Sequence, residues 1–393
     1  MRPLDGLRVL DFTHVLAGPF ATRVLADLGA DVVKVNSVTR PGGDSDPYYI
    51  MWNRNKRALA LDMSTPRAAE ICRRLCEKTD IVIDNFSVGV LERSGVGYES
   101  VREMNPRVIY LSMSGMGEGG PWSTFVTYAP TIHALSGLTH MTSVPGREDI
   151  GIGFSYNDHQ AGLHGVVVLL AALEARRVSG RGQRIDMSQF EIGVNFSGPA
   201  LLDLFANGRA AQPTGNRLPY DVAAPHNCYP CKGQERWVAI AVMDDEQWRA
   251  FRLVMGDPDW ARDDRYNSAT GRAANLETLD AQVSAWTRTL RAERVQELCQ
   301  TGGVPAGVVQ NGIDLAEHDP QLRLRDFLIE LDDPHPAIGA TYADRLPLHF
   351  EKTPADVYRR SRVIGEDNAA VLGEWLGMTK DEVRRHEDDD TLR

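Results

Sequence analysis

Cys228-Tyr-Pro-Cys231 is the first arrangement in this chain that could do chemistry, because two thiols at that spacing can bind a metal or cycle between dithiol and disulfide. A zinc site asks for a second ligand pair, and Cys72 and Cys76 stand far away in the sequence. The pair therefore reads as two partly buried thiols at the start of a strand. Arg54, Lys56 and Arg57 form a local basic cluster that could serve one small polyanionic ligand. Asp158 stands just before a long apolar stretch. On position alone it reads as a helix N-cap, a role that does not exclude a chemical one.

The elements that must position these residues follow from apolar periodicity. Leu7–Phe12 is a short apolar run, followed by a Gly-Pro turn, a helical pattern from Phe20 to Leu28, and a second run, Val32–Val35. Pro19 suits a helix start and Gly29 a helix end, so the segment predicts a βαβ unit. A helix from Thr65-Pro66 to about Lys78 and strands at Ile81–Ile83 and Val108–Ser112 extend the alternation, which implies a parallel sheet flanked by helices. No Gly-x-Gly-x-x-Gly follows the first strand, so a bound dinucleotide is not indicated. Gln160–Arg176 is the longest apolar helix; Ser179-Gly-Arg-Gly182 ends it, and Gln183–Met187 is the next strand.

The stretch from Asn207 to Asn227, rich in Gly, Pro and Asn, marks a boundary. Beyond it, strands at Trp237–Val242 and Val304–Val309 and helices at Glu246–Val254, Leu276–Thr287 and Ala292–Cys299 predict an α+β unit, with a last helix at Asn368–Leu376. Two domains also follow from the length of 393 residues, more than one hydrophobic core usually serves. Composition is that of an ordinary globular protein, and no apolar run approaches the roughly 20 residues of a membrane span, so a soluble protein is expected. The N-terminus runs directly into a strand without a secretory signal, and five cysteines suit a reducing compartment, which together predict a cytoplasmic location. A formal charge of −11 disfavours nucleic acid and anionic membranes as partners.

Several segments, in order, resemble the family III coenzyme A transferases, the group that includes formyl-CoA transferase and carnitine CoA-transferase and shares its fold with α-methylacyl-CoA racemase. They are Leu4–Phe12, His14–Pro19, Leu28–Val35, Asn53–Arg57 with Leu61-Asp62, Asp84-Asn85-Phe86 with Leu91-Glu-Arg93, Asn105–Ile109, Asp158 with Gly162, and Ser179–Gln183. The resemblance implies an α/β fold. Its Rossmann-like large domain is formed by residues 1–205 and a C-terminal return at 326–393, with a smaller α+β domain at 206–325 between them. It also implies a homodimer of interlocked, ring-shaped chains, and an active site near the interface of the two domains.

By the same resemblance Asp158 is the covalent catalyst, carrying first an acyl-aspartyl anhydride and then an aspartyl-CoA thioester. His14, Val15, Ala17, Arg40, Leu61, Asn85, Phe86 and Arg93 match the family's coenzyme contacts. Coenzyme A is expected as a co-substrate, with no tightly bound cofactor and no metal. Gly151 and Gly153 are expected to admit backbone N–H groups near the reacting carbonyl. Tyr128 and His140 are expected at the acid substrate, with His226, Arg147 and Arg217 as further carboxylate partners, and a dicarboxylate such as succinyl-CoA as donor.

The sequence departs from the family at three places. Asn36 stands where a glutamate is common, Val126 where formyl-CoA transferase has a lysine, and no glycine-rich loop follows Gln234–Trp237, so an acid larger than oxalate or formate is expected. The racemase alternative needs a histidine where Tyr128 stands, and His133 or His140 would have to shift to replace it. A non-catalytic coenzyme A-binding relative is the remaining alternative, and retention of Asp158 argues against it.

Overall fold

Six parallel strands form one sheet in the computed structural model, which describes residues 1–37, 43–219 and 222–393. They are β1 (Arg8–Asp11), β2 (Asp31–Asn36), β3 (Arg57–Ala60), β4 (Ile81–Asp84), β5 (Ile109–Ser112) and β6 (Gln183–Asp186), in the order β3-β2-β1-β4-β5-β6. Val9 faces both Val32 and Ile81, and Ile81 faces Ile109, so one register runs through the central four strands. Alternation then sorts the side chains. Val9, Val32, Ile81, Ile83, Ile109 and Leu111 pack with the helices Ala17–Asp27 and Tyr156–Ser179. Leu10, Val33, Val35, Val82 and Tyr110 pack with Pro66–Cys76, Tyr98–Met104 and Asn368–Leu376. Burial on both faces explains why these strands read as continuous apolar runs.

The sequence-predicted strands and helices of this region are present, with ends shifted by a few residues. Gly162 lets two helices meet, since a Cβ there would stand 2.8 Å from both the Ala17 carbonyl oxygen and Phe20 Cδ1. β3 was not expected from the sequence. Its outer edge is sealed by side chains from far along the chain: Asp367 Oδ2 accepts from Ala58 N–H and Asn368 Oδ1 from Ala60 N–H, both at 2.9 Å.

The chain divides into two compact units, one of Met1–Leu138, Gly151–Pro199 and Pro320–Arg393, the other of Thr139–Ile150 and Ala200–Asp319. The second unit holds an antiparallel sheet of β7 (His226–Pro230), β8 (Trp237–Ala241) and β9 (Ala306–Val308). Tyr229, Val238 and Ile240 form its core with Trp248 and Phe251 of helix Asp245–Val254, Val283 of Leu276–Thr287 and Val295 of Ala292–Thr301. In the first unit an antiparallel pair, β10 (Leu328–His335) and β11 (Gly339–Asp344), was also not expected.

The basic cluster is not free to take a polyanion. Arg54 is buried against Asp27 and Asp344, each at 2.7 Å, Lys56 is buried 3.0 Å from Asp11, and Arg57 pairs with Asp31 and Glu374. Desolvated cations need such partners, and here the protein supplies them. All five cysteines are free. Burial raises the Cys228 and Cys231 thiols, the opposite of what a reactive dithiol requires. Among the described residues no helix is long and apolar enough to cross a membrane, and no group of three or more His, Cys, Asp or Glu is placed to hold a metal.

Candidate active site

β1 and β4 are neighbours, yet the chain continues from β1 toward β2 on one side and from β4 toward β5 on the other. That reversal opens a crevice beyond the C-terminal strand ends, the place where open α/β sheets bind ligands. His14 and Val15 follow β1 there, and Asn85 and Phe86 follow β4. The Asn85 carboxamide clasps the His14 main chain, its Oδ1 accepting from the N–H and its Nδ2 donating to the carbonyl, both at 2.7 Å. The His14 and Phe86 rings lie 4.9 Å apart. Val15 has φ +64°, a left-handed conformation that a β-branched residue rarely adopts.

A buried ionic cluster holds the loop after β1. Asp11 accepts from Thr13 N–H at 2.8 Å, from Thr13 Oγ1 and Thr22 Oγ1 at 2.6 Å, and from Lys56 Nζ at 3.0 Å; Lys34 Nζ lies 3.5 Å from it and donates to the Thr13 carbonyl. Burial alone would raise the Asp11 carboxyl, but the Lys34 and Lys56 ammoniums hold it well below the usual carboxylate range. Burial pushes Lys56 down to about 7, against the pull of Asp11. Behind the other loop, the Asp84 carboxylate accepts from Phe86 N–H at 3.1 Å and from the Ser112 hydroxyl at 3.3 Å. Burial raises Asp84 to about 7.

Asp158 is not a helix cap. The long helix starts at Tyr156, which puts Asp158 third in its first turn; Ser155 holds the cap position without a side-chain bond. The cap signal misleads because an acceptor comes from elsewhere: His133 Nε2 takes the Asn157 N–H at 3.1 Å. Burial pushes the Asp158 carboxyl up to about 6, and a bond to its own backbone N–H opposes the shift only in part. Asp158 lines a cavity of about 240 Å³ with His14, Val15, Asn85, Phe86 and Tyr128. The whole of that lining belongs to the first unit. A second cavity of about 330 Å³, bordered by Lys34, Asn36, Tyr49 and Asn53, shares His14 and Val15 with the first.

Six of the sequence-predicted residues thus meet in one cavity, and the others stand elsewhere. Ala17 and Leu61 are each 1% exposed, packed in the two sheet cores, and neither lines the cavity. Arg93 is exposed at the end of the short helix Val90–Arg93, and Arg40 lies outside the described residues. His140 belongs to the second unit, its Nδ1 3.2 Å from Asp149 Oδ2. His226 bonds the Asn216 carbonyl there, and Arg217 faces Asp280 at 3.5 Å. Arg147 is exposed in the same unit. Gly151 and Gly153 are exposed and are not among the residues lining the cavity. Sequence reasoning missed Ser114 and Gln189, which do line it. The position of Ser114, two residues past a strand's C-terminal end, was the available signal.

A doubly wound sheet with a carboxylate at its switch point defines an α/β protein with a built ligand crevice. Residues 4–368 match CoA-transferase family III. The chain is 34% identical to a probable CoA-transferase of Mycobacterium tuberculosis over 98% of its own length, and it spans 49% of that longer relative. It is 30% identical to the succinyl-CoA–D-citramalate CoA-transferase of Chloroflexus aurantiacus, covering 97% of this chain and 96% of that one. A crystal structure of a CAIB/BAIF family protein from Brucella suis superposes with a TM-score of 0.85 at 31% identity, over 95% of this chain and 99% of that one. The chain belongs to CoA-transferase family III.

Proposed function

We propose that this protein moves coenzyme A from an acyl-CoA to a free carboxylic acid, with Asp158 carrying the intermediates. One observation carries the reading: a half-buried carboxyl, raised to about 6, faces the cavity that opens at the switch point of the sheet. At neutral pH most of it is ionised, and the burial that raises its pKa also leaves it poorly solvated and more nucleophilic.

An Asp158 oxygen attacks the thioester carbonyl and coenzyme A leaves as the thiolate, giving an acyl-aspartyl anhydride. The thiolate attacks the aspartyl carbonyl and expels the donor acid as a carboxylate, leaving an aspartyl-CoA thioester. The acceptor carboxylate then displaces the thiolate to form a second mixed anhydride. Attack of the thiolate on its acyl carbon yields the new acyl-CoA and returns Asp158 as a carboxylate. The thioester's free energy is kept through every step because no intermediate is handed to water.

His14, Val15, Asn85 and Phe86 are the residues to which we assign the coenzyme, with Arg40 and Arg93 as further contacts that the family resemblance implies; Ala17 and Leu61, which it also implies, are buried. Tyr128 is the residue of the same cavity that would meet the acid. A dicarboxylate donor such as succinyl-CoA is supported by the relative from Chloroflexus aurantiacus, named for that donor. Against the racemase reading, His133 uses its Nε2 as an acceptor for Asn157 N–H and is not among the described residues that line the cavity.

A homodimer is part of the proposal, in the interlocked form the family resemblance implies. Its support is the long helix, which buries Ala161, Gly165, Val166, Leu169 and Ala172 on one side and exposes Leu163, Val167 and Leu170 on the other. A helix apolar on both sides is usually covered on both. Five free cysteines fit the reducing cytoplasm in which we place the enzyme.

The test is mass spectrometry of the intact protein mixed with succinyl-CoA and with a panel of other acyl-CoAs, followed by hydroxylamine or borohydride trapping. A label on Asp158 is expected. Deuterium exchange at an α-carbon with no adduct would replace transfer by racemisation.

A further inference from the structure

We infer that Ser114 is a substrate-contacting residue whose hydroxyl donates a hydrogen bond to the acyl oxygen of the group reacting with Asp158, an inference that rests on the transfer reading above. Ser114 is 5% exposed, lines the same cavity as Asp158, and its Oγ has no hydrogen-bond partner among the described residues. A buried hydroxyl left without a partner disfavours folding, so its retention calls for a partner that arrives with the ligand.

The turn that carries the hydroxyl is held still. Gln189 bonds the turn twice, its N–H to the Ser114 carbonyl at 3.1 Å and its Nε2 to the Met113 carbonyl at 2.8 Å, and Phe190 N–H bonds the Gly115 carbonyl at 2.9 Å. Gly115 brings the turn hard against the Thr127–Tyr128 segment, where a Cβ would stand 1.9 Å from Thr127 Oγ1. A donor carried on a fixed turn needs only to rotate its hydroxyl as charge develops, and a pre-placed donor of this kind favours the transition state.

The chemistry selects an oxygen acceptor. No lysine or arginine is among the described residues that line this cavity, so the charge that builds on the acyl oxygen in each tetrahedral intermediate falls to the imidazole, amide, hydroxyl and main-chain donors there. Of the hydroxyls that line it, those of Ser87 and Tyr128 belong to exposed residues and those of Ser123 and Thr127 to half-buried ones, whereas Ser114 is nine-tenths buried, and a donor shielded from water has the larger effect.

The experiment compares wild type, Ser114→Ala and Ser114→Thr for the rate of Asp158 labelling by succinyl-CoA, for acyl-CoA affinity by calorimetry, and for Tm. In Ser114→Ala the labelling rate should fall about 100-fold with affinity nearly unchanged. Its Tm should hold or rise, because an unpaired buried hydroxyl has been removed. Ser114→Thr should recover part of the rate. Labelling of Ser114→Ala within twofold of a labelled wild type would overturn the inference alone, as would parallel losses of Tm and rate with no recovery by threonine. A wild type that acquires no label from any acyl-CoA would overturn the transfer reading and this inference with it.

Discussion

His133 Nε2 accepts the backbone N–H of Asn157 at 3.1 Å, one residue before Asp158 in the first turn of the long helix. The first N–H groups of a helix have no partner within it, and here a neutral imidazole from another helix supplies one. Burial lowers the His133 pKa, which keeps the ring in the form that can accept. Because the folded pKa lies below the unfolded one, this contribution to stability is complete above about 6.5 and is lost as pH falls through the folded value. His133→Leu should remove it at every pH, lowering stability by about 1 kcal/mol by urea denaturation. The deficit relative to wild type should shrink as the medium is acidified. An unchanged deficit at pH 5 would mean that the ring acts through packing alone.

Asp158 has the opposite linkage. Its folded pKa of about 6 exceeds the ordinary carboxyl value of 3.8, so ionisation works against the fold: the cost is absent below about 4, grows between the two values, and is complete above 6. Asp158→Asn should therefore be inactive yet more stable than wild type at pH 8, by about 2 kcal/mol, with no difference at pH 4. The wild-type rate of label uptake should fall tenfold per unit as pH drops below about 6, where the nucleophile becomes protonated. Thermal melts across pH and a pH–rate profile check both halves. A flat profile between pH 5 and 8 would remove the argument from ionisation.

Asn85 holds the loop after β1 by its two bonds to the His14 main chain. Asn85→Ala would leave both groups without that partner and loosen the loop that carries His14 and Val15. KM for acyl-CoA should rise about tenfold with a smaller change in kcat, since positioning is lost and the nucleophile is untouched. Asn85→Asp keeps the acceptor for His14 N–H but places a carboxylate against the His14 carbonyl, and it should be the worse of the two. Steady-state kinetics on both variants decide the order.

Much of this site was readable in advance because the strands that bear it are buried on both faces. Ile81-Val-Ile83 and Val108-Ile-Tyr-Leu111 could be little else, and the loops beyond such strands are where ligands bind. The misreadings have physical causes. Asp158 looked like a cap because the partner of Asn157 N–H, His133, lies 24 residues away and leaves no local trace. Ala58-Leu-Ala60 is too short and too poor in β-branched residues to announce a strand, and Asp367 and Asn368 stabilise its edge from more than 300 residues downstream. Asp332-Asp333-Pro334 disguises β10, whose register shifts between Leu331 and His335. Ser114 is set apart by a buried, unpartnered hydroxyl beside the cavity that Asp158 lines, and that is visible only in the folded chain.

The long helix yields the last prediction. Leu163, Val167 and Leu170 recur at helical spacing, and they are 43%, 64% and 38% exposed on the face opposite the sheet. Exposed apolar side chains scattered singly are ordinary, but a stripe on one helix face marks a surface that another body covers. If a second copy covers it, light scattering should give about twice the chain mass of 43.5 kDa, and Val167→Glu should reduce that to the monomer value. A charge at Val167 is far in sequence from the first turn that carries Asp158, so a monomeric variant that still takes up label would separate assembly from chemistry. A wild-type mass of one chain would instead leave the stripe to another partner and remove the homodimer from the proposal.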